Sequence, residues 1–264
     1  PLRLANKLPE IPYSIALAFT DKLDTLVGFF GINKKPTSSK DPYALRRLAL
    51  VAVRLLIEND KEFKVKDLIN YSILLYEEQG FKFANNSLQK ELSEFLMDRF
   101  KYYMKEKNIR SDIIESSLSS HGIDSLVKIY KKAQELNKII SKQIGIDILS
   151  SYKRALNILE GEIYNQELEL SGTPDPGLFK NDYENSLYKK INELRKYFLS
   201  INKDENYNLT LSNLATAKTV IFEFFDNVIV NDDEKTIKKN RLELLQMLCK
   251  TFENYINFSN IETT

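Results

Sequence analysis

Two carboxylates three residues apart, Asp21 and Asp24, fall near one face of the amphipathic stretch that opens at Pro12. Acids at that spacing could hold a cation and activate water, but such a centre also needs several imidazoles. The chain has one histidine, His121, between Ser120 and Gly122, with no acid or serine at catalytic spacing. A multi-histidine metal centre therefore cannot be built from this chain alone, and His121 reads as a surface loop residue. Asp21 and Asp24 read as structural acids, pairing with Lys22, with the basic loop downstream, or with Arg46 or Arg47. The sequence contains no phosphate-binding P-loop, no dinucleotide-binding glycine pattern, no nucleophile elbow and no metal-spaced cysteines. It offers no catalytic residue and no metal or cofactor site.

Cations are the remaining chemistry. Lys34, Lys35, Lys40, Arg46, Arg47 and Arg54 lie around a single acid, Asp41, in the densest basic cluster of the chain. Such a cluster at a helix start can grip phosphates by charge and by backbone N–H groups. The alternative is a solvated face, or an arginine locked to Asp21 or Asp24. Both readings stand for the loop lysines, and the structural one is favoured for one of the arginines. A second group, Lys153, Arg154 and Asn157, occupies the polar side of the helix in SYKRALNIL (Ser151–Leu159). An arginine that stacks or forks onto phosphate, beside an amide that pairs base edges, is what reading unstacked bases requires. An ordinary surface helix would carry the same residues. In FFDNVIVNDDEKTIKKNRLELL (Phe224–Leu245), Lys238 and Lys239 read as free to meet RNA. There Asp226 pairs with Arg241 to hold a bend, while Phe222, Phe225 and Val228 pack. Cys249 sits at core-facing spacing, and most of the 14 Tyr and 15 Phe follow core periodicity.

These residues must be carried by helices. The 264 residues include only 8 Gly and 7 Pro, and no segment alternates with period two, so the expected class is all-α, built of helical bundles. Lys and Arg total 38 against 37 acids, a net +1, so bulk charge lends nothing to nucleic-acid binding and any such role rests on local patches. One cysteine excludes an intrachain disulfide and fits a reducing cytoplasm. No apolar run approaches the roughly 20 residues of a membrane span, and no signal peptide opens the chain, which begins at Pro1 as a piece of a longer polypeptide would. The spacing predicts a helix over 12–30 ended by a left-handed Gly31, then one capped by Asp41 with Pro42 in its first position. Further helices are expected over 65–79, 87–107, 111–119 (capped by Ser111), 125–140 and 146–163. A loop spans Ser171–Gly177, followed by a helix at 181–199, a polar turn at 202–208 and a helix at 212–225. The last helix is expected from Asn231 to Ile256, opened by an N-x-x-E capping box with Glu234.

The wording of several blocks is more specific than their periodicity. Residues 20–47 contain TDKLDTLVGFF and PTSSKDPYALRR, which resemble ADKLDTLVGFF and PTGSKDPFALRR of the bacterial glycyl-tRNA synthetase beta subunit family. Thr20, Ser39 and Tyr43 are the substituted positions, and Ser39 for glycine makes a close backbone approach to RNA there less assured. Phe95–Ser120 and SYKRALNIL are similar to the same family. The FFD-x-V-x-V and NRL-x-LL pattern in Leu214–Phe258 resembles the anticodon-binding helical module shared with arginyl-tRNA synthetases. The resemblance implies the end of an HD-like helical domain over 1–60, generally regarded in that family as having lost its metal site. It further implies a helical connector over 61–143 and a DALR-like anticodon-binding domain over 144–264. The implied function is a non-catalytic part of a glycine–tRNA ligase that positions tRNA-Gly for ATP-dependent glycylation at the alpha subunit. Partners would be tRNA-Gly and the alpha subunit, not DNA or a membrane, in the cytoplasm. ATP and Mg would belong to the alpha subunit. RNA binding by this chain alone is expected to be weak and strongly salt-dependent. The alternatives are a degenerate HD-type phosphohydrolase using Asp21 and Asp24, or a helical scaffold that meets only the alpha subunit.

Overall fold

The computed structural model describes residues 8–119, 125–166, 169–200 and 206–262, so the expectation for His121 lies outside the described residues. Among the described residues there are eleven α-helices and no strand. They are α1 (Pro12–Gly31), α2 (Leu45–Glu58), α3 (Val65–Glu78), α4 (Leu88–Glu106), α5 (Ser111–Leu118), α6 (Leu126–Ile139), α7 (Gln143–Gln166), α8 (Asp182–Ser200), α9 (Tyr207–Ala215), α10 (Lys218–Asn227) and α11 (Lys235–Glu253). The chain divides into two units. The first comprises Pro1–Ile109 and Gly122–Lys131; the second comprises Arg110–His121 and Lys132–Thr264.

In the first unit, α2 packs on α4 and α1, and α3 packs on α4 and α1. α1 buries Leu23, Leu26, Val27 and Phe30 on one stripe, the i, i+3, i+4, i+7 pattern of a one-sided helix. Gly31 is the last helical residue and not the left-handed terminator. Asn33 takes that role at φ 58°, and Lys34 and Asn33 donate their N–H groups to Phe29 O (2.8 Å) and Phe30 O (3.0 Å) in a Schellman closure. Gly31 is needed for a different reason: the Phe83 ring occupies the space a Cβ would fill. α2 also starts later than expected. Ala44 (φ 54°) precedes its first residue, and the Asp41 carboxylate accepts N–H bonds from Leu45 (2.8 Å) and Arg46 (3.0 Å). Asp41 does cap the helix, but across a turn that contains Pro42.

In the second unit, α11 is the central element. Leu242, Leu244, Leu245, Leu248 and Phe252 are fully buried, with α7 and α8 packed against it. Cutting one such leucine to alanine costs about 2–5 kcal/mol in well-packed cores. Cys249 is buried there as its spacing implied, and burial pushes its thiol well up. The expected single helix over 212–225 is two helices. Asn206 caps α9 by accepting Leu209 N–H (3.0 Å), and the chain turns at Thr216–Ala217 before α10. The predicted capping box at Asn231–Glu234 does not form, and α11 begins at Lys235 and ends at Glu253. The same N-x-x-E pattern closes instead at the start of α8. There Asn181 Oδ1 accepts Glu184 N–H (3.1 Å), and Glu184 Oε2 accepts Asn181 N–H (3.1 Å).

Candidate nucleic-acid interface

The basic loop of the first unit is partly committed to its own fold. Lys35 reaches Glu91 at 2.7 Å, a carboxylate that also accepts from Asn85 at 2.6 Å. The Arg46 guanidinium donates to Thr37 O. Lys34, Lys40 and Arg47 are exposed, and their side chains have no partner among the described residues. The expected lock between the two acids and the arginines is absent. Asp21 pairs with its neighbour Lys22, and at Asp24 it is the backbone carbonyl that accepts, from the Tyr76 hydroxyl (3.3 Å). Arg54 is held by Glu58 (2.9 Å), whose carboxyl that bond pulls below its ordinary range. Among the described residues no group of three or more His, Cys, Asp or Glu could hold a metal ion.

The second unit contains a groove between α7, the end of α10 and the extended segment that follows it. Arg154, Asn157, Phe225 and Ile229 are among its lining residues. α7 turns Tyr152, Ala155 and Leu159 inward, leaving Arg154 and Asn157 on the open side. The Arg154 guanidinium lies over the Phe225 ring at 4.5 Å from its centroid, with the Phe222 ring at 5.9 Å. Its nitrogens reach Asp226 at 3.7 Å and Phe225 O at 3.4 Å. Phe222 and Phe225 are only half-buried, because their outer faces carry this arginine; Phe224 and Val228 are the residues that pack. Asn157 is exposed and its amide has no partner among the described residues. Ile229 is 78% exposed, flanked by the buried Val228 and Val230, so the segment alternates like a strand with its apolar tip in the groove wall.

Asp226 and Arg241 do not pair. Asp226 faces Arg154, whereas Arg241 is buried and donates Nε to Glu184 (2.8 Å), and Nη1 to Asp232 (2.6 Å) and Ile229 O (2.8 Å). The Glu234 backbone N–H, with Arg241 beside it, holds the Asp232 carboxyl below its usual range. Lys238 is not free either: it is buried and pairs with Glu162 at 2.6 Å. Lys239, one step round the helix, is exposed and has no partner among the described residues. Lys239 and Lys235 line a second cleft, against Asp175 and Asn240.

Sequence reading missed the residues that shape these clefts. Asn240 pairs with the backbone of Asp175 in both directions (2.7 and 2.9 Å). Glu243 gathers N–H bonds from Ser171 (3.0 Å), Gly172 and Thr173 (3.2 Å). Burial pushes the Glu243 carboxyl up, but those donors outweigh it, and the group lies below its ordinary value. The signal available was a run of polar residues in a helix too apolar to leave them outside.

An exposed arginine seated on an aromatic ring with an unpaired amide beside it has the chemistry to stack on an unpaired base and hydrogen-bond its edge. Residues 148–264, which hold this surface, match the family model described as the DALR anticodon binding domain. Residues 1–119 match the model of the glycyl-tRNA synthetase beta subunit. The chain belongs to the glycyl-tRNA synthetase beta subunit family. It is similar over 99% of its length to the glycine–tRNA ligase beta subunits of Cereibacter sphaeroides (32% identical), Ruegeria sp. (31%) and Rickettsia canadensis (36%). It spans 38%, 36% and 37% of the length of those relatives, respectively. Among the described residues, no helix is long and apolar enough to cross a membrane.

Proposed function

We propose that this chain is a tRNA-gripping part of a two-subunit glycine–tRNA ligase, and that its second unit takes the anticodon loop of tRNA-Gly. The observation that carries this is the Arg154–Phe225 stack with Asn157 open beside it, inside the portion that matches an anticodon-binding family. The guanidinium lies over the Phe225 ring with the side chain 41% exposed, and its exposed part is available to an unstacked base. Asn157 supplies a donor and an acceptor for that base's edge. Lys153 and Lys239 draw the backbone phosphates by charge, as do Lys34, Lys40 and Arg47 in the first unit. The domain reading that goes with this is an HD-like tail over 1–60, a helical connector over 61–143 and the anticodon module over 144–264. The chain performs no bond chemistry itself. Its binding energy orients the tRNA, and ATP, Mg and glycine are handled by the alpha subunit in the cytoplasm.

Footprinting tRNA-Gly with this chain, with and without the alpha subunit, tests the proposal. Protection of the anticodon loop by the chain alone is expected. Alpha-subunit binding without any RNA protection would mean that the chain is a protein-binding scaffold instead.

A further inference from the structure

Arg241 touches no solvent-facing part of the groove, yet it is tied to the groove's wall. It is 5% exposed, and the Glu184 it meets is 0% exposed. A buried ion pair is often no more stabilising than apolar side chains of the same volume. What a guanidinium fork adds is direction, because its donors are fixed in one plane. Here the fork joins three pieces of chain. Glu184 closes the start of α8, taking N–H bonds from Lys180 (2.7 Å) and Asn181 (3.1 Å) on the oxygen that Arg241 leaves free. The Arg241 side chain rises from α11, and its Nη1 holds both Ile229 O and the Asp232 carboxylate. Within the 228–232 segment, the backbone bonds are Val228 N–H to Phe224 O (2.8 Å) and Asp232 N–H to Val230 O (3.0 Å). The carbonyl directly behind the exposed Ile229 side chain is thus anchored by Arg241.

We infer that Arg241 is a positioning residue for RNA reading: it fixes the Ile229–Asp232 segment through the Ile229 carbonyl, and so sets the distance between the Ile229 tip and the Arg154–Phe225 stack. This rests on the anticodon reading above and deepens it, since it names what makes the groove selective. A lysine at 241 keeps one charge for Glu184 but cannot present the same fork to the wall. The wall then shifts while the phosphate-facing lysines stay where they are.

The test uses the full chain with Arg241→Lys, and with Asp232→Asn as a milder variant that leaves the Arg241–Glu184 pair intact. The first readout needs no RNA: amide exchange over 229–232 is expected to quicken in both variants while the α11 core stays protected. The second compares a hairpin carrying the tRNA-Gly anticodon loop with the same hairpin substituted in the loop. Discrimination between them is expected to fall about tenfold in Arg241→Lys, the scale of loss for a reading surface displaced by well under an ångström to an ångström. The salt slope should stay as in the parent, because no phosphate contact is removed. Discrimination as high as the parent's in both folded variants would overturn the inference. So would a shallower salt slope, which would put Arg241 on a phosphate. If Arg241→Lys does not fold, Ile229→Ala decides instead: that residue is 78% exposed, so the fold keeps its core, and discrimination as high as the parent's without that tip would overturn the inference. If the parent binds neither hairpin, the functional reading and the inference fall together; if the parent discriminates and the variants do too, only the positioning role falls.

Discussion

Replacing Arg154 with alanine should weaken RNA binding far more than it weakens the fold, and the two costs can be worked from separate contacts. Inside the protein Arg154 makes a half-exposed cation–π contact with Phe225 at 4.5 Å, worth about 0.5–1 kcal/mol. Its ion pair with Asp226 is loose, at 3.7 Å, with the two side chains 41% and 67% exposed, a setting worth about 0–1 kcal/mol. The fold should therefore lose no more than about 1–2 kcal/mol. A base stacked on the exposed part of the guanidinium contributes about 1–3 kcal/mol, so Kd for the anticodon hairpin should rise roughly 5- to 150-fold. Arg154→Lys separates plane from charge: it should keep the salt slope and still lose about 1 kcal/mol or more. Asp226→Asn should act in the opposite direction, tightening binding by up to about fivefold, because the guanidinium no longer has a competing carboxylate. Fluorescence anisotropy of a labelled hairpin across a salt series measures all three, with thermal melts as the control for folding. An Arg154→Ala chain that binds within about twofold of the parent, or a lysine variant that matches it, would refute the stacking argument.

Three further outcomes follow from contacts of the fold. The Glu243 carboxyl lies below its ordinary 4.5 in the folded state, so its contribution is present above about pH 4.5 and is lost as pH falls through the lowered folded value. Acid should therefore release the 171–173 loop first, seen as faster exchange of those amides, and Glu243→Gln should flatten that dependence. Gly145 and Gly161 lie in the same helix with opposite surroundings. A Cβ on Gly145 would meet Ile140 Cα at 2.5 Å and the Ile139 carbonyl more closely still, so Gly145→Ala should destabilise by about 1–3 kcal/mol in denaturant melts. Gly161 has open space where its Cβ would be, and Gly161→Ala should leave stability unchanged or raise it by up to about 1 kcal/mol.

The helices were legible because their apolar spacing is a local property. α4 and α7 could be found from Leu92, Leu96 and Phe100, or Tyr152, Ala155 and Leu159, without knowing what they pack against. Choices between equal local patterns were not legible. Asn181–Glu184 and Asn231–Glu234 carry the same N-x-x-E spacing, and the box closes at the first, where Glu184 also meets Arg241, 57 residues away. The site shows the same division. Arg154 and Asn157 could be placed on the polar side of α7, but Phe225, 71 residues on, could not be named as the ring beneath the arginine. Lys238 and Lys239 differ by one residue, a turn of about 100° on a helix, and that alone decides which is buried against Glu162 and which faces solvent.

That internal pairing bears on how a chain of net charge +1 could hold a polyanion, and on how strongly salt should oppose it. Lys35, Arg46 and Lys238 are committed to Glu91, Thr37 and Glu162, so they add little to counterion release while those contacts last. In the second unit Lys235 and Lys239 are left open at the second cleft, and the half-buried Lys153, next to Arg154 on α7, has no partner among the described residues, with Arg154 itself shared between Asp226 and the groove. About three phosphate contacts to a single-stranded loop give a slope of log K against log salt near −2, since each contributes roughly −0.7. The salt dependence for an anticodon hairpin should thus be modest, not the strong one that the run of basic residues suggests. Glu162→Gln should free Lys238 and steepen the slope by about 0.7. An unchanged slope in that variant would mean that Glu162 does not withhold the lysine. A parent slope several times steeper than −2 would mean that the internal pairs open when RNA binds, and that the free chain's ion pairs are exchanged for phosphates one for one.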